Sequence, residues 1–176
     1  MSGHNKWSQI KHQKGKTDAK KSQVFGKLAK LITDEARKAN GNRDAAGLKS
    51  AIERARAQNM PTDNIERAIQ KAVGGGAGAM ETIVYEAYGP GGCALMIEVL
   101  TGNRNKAAQE IKFLLSEQGV ALASIGSAAW AFKKTHEGFT AETTVPLTDE
   151  DVVLLEKLVD ALENHEDVQA VYTNAE

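Results

Sequence analysis

One cysteine, Cys93, occurs in 176 residues, which excludes an internal disulfide and leaves no second thiol for a zinc site. Aromatic residues make up only 5% of the chain and proline occurs three times. No run approaches the roughly 18 consecutive apolar residues that a membrane-spanning helix needs. Residues 1–6, Met-Ser-Gly-His-Asn-Lys, lack the apolar core of a secretory signal. These absences predict a cytoplasmic protein with no membrane partner. No Ser/His/Asp, Cys/His or metal-binding helix motif is present, so an enzyme has no residues to stand on. We expect no cofactor, no metal and no catalytic residue.

The overall charge is close to zero, but it is sorted along the chain. Residues 1–73 carry 16 Lys and Arg against 7 Asp and Glu, whereas residues 74–176 carry 6 against 16. A basic front half joined to an acidic back half reads as a nucleic-acid-binding module attached to a differently employed one. The hydrophobic fraction of 41% is enough for folded cores in both.

Residues 2–16 show neither helical nor strand periodicity and read as a basic arm. Val24, Phe25, Leu28, Leu31, Ile32 and Ala36 then recur on one face of a helix that closes at Asn40-Gly41. A second helix is predicted from near Asp44 to before Pro61, and a third from Thr62 or Asp63, where Asp63 and Glu66 form a capping pair. Three helices, each with one apolar stripe, bury best as a bundle. Gly74-Gly75-Gly76-Ala77-Gly78-Ala79 stops the third helix where the charge switches and reads as a flexible hinge. The expected domains are thus 1–73, with arm and bundle together, the hinge 74–79, and an acidic domain over 80–176.

In that second domain, strands are predicted over residues 82–88 and 93–100, separated by the turn Gly89-Pro90-Gly91-Gly92. A helix capped by Asn103 or Asn105 follows, then a hairpin of strands 128–134 and 139–145, a helix capped by Thr148, and a strand over 168–172. Leaving the first strand aside, the order is β-α-β-β-α-β. The fold class is therefore α+β: a three-helix bundle followed by a ferredoxin-like antiparallel α/β sandwich.

The candidate nucleic-acid-binding residues are Lys6, Trp7, Lys11, His12, Lys14, Lys16, Lys20, Lys21 and Lys27. Clustered ammonium groups displace counterions from a phosphate backbone, and the excess of Lys over Arg favours backbone attraction over base reading. Trp7 either stacks on an exposed base or packs against the helical domain and ties the arm down. His4 and His12 lack partners at metal-ligand spacing. Asn103, Arg104 and Asn105 either face RNA or cap and solvate their helix, and Tyr88 and Pro90 mark a second candidate functional loop.

Gly3-His4-Asn5-Lys6-Trp7-Ser8-Gln9-Ile10-Lys11-His12, Asp18-Ala19-Lys20, Asn59-Met60-Pro61, Tyr85-Glu86-Ala87-Tyr88-Gly89-Pro90-Gly91-Gly92 and Asn103-Arg104-Asn105 occur in that order. Together they resemble the YebC/PmpR family. The likeness runs from residue 1 to about 134 and resumes from about 142 to the C-terminus. It implies one of two roles: a DNA-binding transcriptional regulator, or a ribosome-associated translation factor that eases elongation through proline-rich stretches. We read the second as the main expectation, with ribosomal RNA and the ribosome as partners and DNA as the alternative target. A protein-interaction module that binds no nucleic acid is a third reading. Family members usually carry a further module between the strands placed here at 128–134 and 139–145, so this chain resembles a shortened form.

Overall fold

The computed structural model describes Trp7, residues 18–76 and residues 78–176. The chain divides into a helical unit over Thr17–Glu81 and a unit built on Thr82–Glu176 that includes Trp7.

In the helical unit, α1 (Asp18–Lys38), α2 (Ala46–Ala57) and α3 (Thr62–Val73) enclose one apolar core. Leu28, Ile32 and Ala36 of α1 recur at helical spacing and meet Leu48, Ile52, Ile65 and Ile69 across small alanines. Thr33 lies inside this core, and its hydroxyl donates to the Ala29 carbonyl at 2.8 Å and to the Ala68 carbonyl of α3 at 3.2 Å. α1 stops as expected: Asn40 and Gly41 take positive φ, and the Gly41 N–H returns to the Ala36 carbonyl at 2.8 Å. α2 stops in the same way, through Asn59 at φ 59° and a Met60 N–H to Ala55 carbonyl bond.

α2 and α3 start close to where expected, at Ala46 and Thr62, but the capping differs. Ala45 and Pro61 occupy the two N-cap positions, and neither makes a side-chain cap. Glu66 does not pair with Asp63, because both of its oxygens take the guanidinium of Arg43, one at 2.7 Å. A bidentate charged pair outcompetes a single cap bond.

In the second unit, β1 (Glu81–Tyr88), β2 (Ala94–Thr101) and β5 (Val168–Thr173) form a three-stranded sheet in the order β1-β2-β5. β2 and β5 run antiparallel, with Ile97 opposite Val171 and a register shift between Glu98 and Val99. The five-residue connection between β1 and β2 obliges those strands to run antiparallel too. α4 (Arg104–Glu117) and α5 (Asp149–Glu163) share one apolar core with Leu95, Ile97 and Val99 of β2. Their caps are Asn103, accepting the Lys106 N–H at 3.1 Å, and Thr148, accepting the Asp151 N–H at 3.2 Å.

The α+β class and the order of elements are those expected, but the hairpin does not join the main sheet. β3 (Phe132–Thr135) and β4 (Gly138–Ala141) form their own two-stranded sheet. Phe132, Phe139 and Ala141 pack in a second apolar cluster with Ala94 and Met96, the β2 residues of opposite parity to Leu95 and Ile97. β2 is apolar on both faces, so one face needs the helices and the other needs a cover, which the hairpin supplies. Residues 129–131 form a 3-10 turn ahead of β3, and β4 ends at Ala141, shorter than the strands expected there.

Candidate nucleic-acid interface

Four lysines, at 20, 21, 27 and 30, stand on α1 between Ala19 and Thr33, a stretch without a single carboxylate. Helical spacing puts Lys20, Lys27 and Lys30 on one side of the helix. Lys21 is exposed, and the other three are half-buried. The second half of α1 is balanced differently: buried Asp34 holds Lys38 Nζ at 2.6 Å and Arg37 Nη2 at 3.3 Å, and Glu35 lies 3.3 Å from Lys38. Burial opposes the Lys38 charge, but hydrogen bonding and attraction from Asp34, joined by Glu35, leave its ammonium pKa above the ordinary value. The Arg43 hydrogen bonds hold the Glu66 carboxyl below its usual range. Lysine without interspersed carboxylates is thus a property of the first half of α1.

Lys6, Lys11, His12, Lys14 and Lys16 lie outside the described residues. Trp7 belongs to the core of the sheet unit. It is 7% exposed within the apolar cluster of the sheet unit, together with Leu95, Ile111 and Leu155. An indole needs a large apolar site, and the Leu, Ile and Val side chains of that core provide one. Buried there, the ring has no face free for a base.

The two candidate loops have structural work. Pro90 opens a 3-10 turn closed by the Gly89 N–H to the Cys93 carbonyl at 2.8 Å. Gly91, at φ 68°, sits where a Cβ would meet Leu147 at 2.6 Å and Asp151 at 2.9 Å. Asn103 caps α4, which leaves Arg104 and Asn105 exposed in its first turn.

Tyr88 organises a surface that sequence reasoning did not single out. Its hydroxyl donates to the Ser127 carbonyl and accepts the Trp130 indole N–H at 2.8 Å. Beneath it, Glu86 of β1 is 5% exposed, and its carboxylate accepts the N–H groups of Gly126 and Ala128, both at 2.7 Å, and of Ala129 at 3.0 Å. These bonds hold the loop that carries Ile125, 95% exposed, and Trp130, 60% exposed. The partners are about 40 residues apart in sequence, and no local pattern links them.

Comparison with known proteins agrees with this architecture. A family model described as the TACO1/YebC protein N-terminal domain matches residues 5–75, and one described as the TACO1/YebC second and third domain matches residues 80–137 and 133–175. A probable transcriptional regulatory protein of Petrotoga mobilis is 52% identical over 76% of this chain and 54% of its own length. One of Desulfatibacillum aliphaticivorans is 49% identical over 88% of this chain and 62% of its own. The chain thus spans a little over half the length of these relatives. A third, from Pelotomaculum thermopropionicum, is 36% identical over an alignment of 240 residues that takes in all 176 of this chain and 99% of the relative, so about 64 of its positions have no counterpart here. The two segments of the second match meet and overlap at residues 133–137, on the β3–β4 hairpin, where the shortened form was expected to differ. The crystal structure of a conserved hypothetical protein from Aquifex aeolicus superposes with a TM-score of 0.79 at 28% identity, covering 97% of this chain and 96% of that one. With both units matched in order, the chain belongs to the TACO1/YebC family.

Proposed function

We propose that this chain is a non-enzymatic, cytoplasmic regulator of gene expression that holds nucleic acid by its phosphate backbone, with duplex DNA as the first target. The observation that carries this reading is the carboxylate-free, four-lysine stretch of α1. The relatives' names, probable transcriptional regulatory protein, support DNA as the target. Lysines without a bidentate reading pattern supply affinity more than sequence choice. Among the described residues no helix is long and apolar enough to cross a membrane.

Titrating a 20-base-pair duplex against salt tests the reading. Contact with roughly 4 to 6 phosphates gives a log–log slope of about −3 to −5. Replacing Lys20, Lys21 and Lys27 by Glu is expected to weaken binding at least about tenfold. A flat slope, or an unaffected variant, overturns the proposal.

A second reading, a ribosome-associated translation factor on ribosomal RNA, draws support from α3. A helix that reads bases in the major groove does so with its N-terminal residues. Here those are Pro61, Thr62 and Asp63, and Glu66 follows in the grip of Arg43. Such an end offers no cation to a base edge, which argues against base reading by α3 and favours a reader of backbone and shape. Co-sedimentation with ribosomes that is lost on RNase treatment supports this reading, and absence from ribosomal fractions together with tight binding to one promoter site defeats it.

A further inference from the structure

We propose that Trp130, with Lys133 and Lys134, forms a platform on the sheet unit that stacks an unpaired base of single-stranded RNA. The proposal rests on the nucleic-acid-binding reading above and adds a second contact to it, on the unit that the charge count assigned elsewhere.

The chain has two tryptophans, and they are used in opposite ways: Trp7 is buried and Trp130 stands in solvent. A lone exposed apolar side chain is ordinary. This one is anchored. Its indole N–H is consumed by Tyr88, Tyr88 is fixed to Ser127, and the backbone on either side of Ser127 is fixed to the buried Glu86 carboxylate. The ring is therefore oriented before any ligand arrives, and it offers no N–H. What it presents is an aromatic surface, and the matching ligand is another planar ring.

Charge selects among planar rings. The acidic half of the chain holds six cations, and two of them, Lys133 and Lys134, follow Trp130 by three and four residues on exposed β3 positions. The neighbouring acids are Glu142, whose N–H bonds to the Ala131 carbonyl, and Glu137, which lies 3.7 Å from His136 at the hairpin tip. Adjacent strand residues point to opposite faces, so Lys133 and Lys134 put one ammonium group on each side of the strand that leaves Trp130. An aromatic surface with exposed cations this near in the chain suits a base with its phosphate. A duplex keeps its bases stacked inside whereas a single strand presents them, and RNA is the nucleic acid that is read chiefly through such unpaired loops and ends, so single-stranded RNA is the occupant.

The test titrates the full chain with a fluorescently labelled, unstructured 12-nucleotide RNA, the same sequence as single-stranded DNA, and an RNA duplex. Trp130→Ala is expected to weaken single-stranded RNA binding about tenfold, and Trp130→Phe to restore it to within about threefold. Tryptophan emission of the parent is expected to fall on RNA addition, and that of Trp130→Ala to stay constant. If the parent binds RNA and Trp130→Ala binds it equally, the platform is overturned and the lysine-based reading stands. If no nucleic acid binds even at low salt, both fall. Tighter binding of the DNA strand overturns the choice of RNA. Loss of self-association in Trp130→Ala with RNA affinity intact overturns the platform in favour of a protein contact.

Discussion

The carboxylate of Glu86 and the backbone N–H of Ala128 meet at 2.7 Å in the interior of the sheet unit, 42 residues apart in sequence. Two further N–H groups share that carboxylate, so its removal strands three donors at once. Glu86→Ala is expected to lower unfolding free energy by about 2–4 kcal/mol and Glu86→Gln by less, since the amide keeps one acceptor oxygen. Urea denaturation reads the difference, and a fully stable Glu86→Ala protein contradicts this account of the loop.

Gly138 marks a closer approach. It sits at φ 125°, and a Cβ there would lie 2.1 Å from the Tyr172 hydroxyl. Gly138→Ala therefore combines backbone strain with overlap and is expected to cost at least about 2 kcal/mol. Adding Tyr172→Ala should recover less than the full loss, because it relieves the overlap, leaves the strain, and forfeits the edge-to-face contact of Tyr172 with Phe139 at 5.4 Å. Thermal melts of the two single variants and the double variant separate these contributions.

Thr33 joins α1 to α3 through a single hydroxyl. Thr33→Val keeps the shape and removes the donor, and the expected loss is about 1 kcal/mol. The Ala68 carbonyl retains its place in α3, so the helix itself should survive, with unchanged far-ultraviolet dichroism and an earlier urea midpoint.

Burial pushes the Cys93 thiol above its ordinary pKa, with weaker opposing pulls from Thr173 and the Gly89 backbone. A folded-state value above the unfolded one contributes stability that is fully present below the unfolded value, near 9.0, and lost as pH rises through the folded one. Native protein at pH 7.5 should therefore resist Ellman's reagent, and one thiol per chain should react on unfolding. Rapid labelling of the native form contradicts this burial.

The features legible in the sequence were those with local causes. The spacing of Leu28, Ile32 and Ala36, the turn at Asn40-Gly41 and the caps Asn103 and Thr148 all act within a few residues, and the structure contains each of them. The capping pair expected of Asp63 and Glu66 failed because Arg43, distant in sequence, holds Glu66. A signal for the hairpin's position was present: Ala94-Leu95-Met96-Ile97 is apolar at both parities, which calls for cover on both faces of β2. No comparable signal existed for Trp130, whose orientation depends on Tyr88 and, through Ser127, on Glu86. Of the candidate nucleic-acid residues, Lys20, Lys21 and Lys27 share α1, whereas Trp7 lies in an apolar core because tertiary packing overrode its basic surroundings.

The β3–β4 hairpin seals the second face of β2 with its strand residues, while its tip, His136 and Glu137, points into water. Apolar seal and solvent end are separate along the same few residues, so polypeptide can be spliced in or cut out at the tip without repacking the interior. A chain of this fold can thereby change length at one address and keep its interior, and the Pelotomaculum relative aligns over roughly 64 positions more than this chain has.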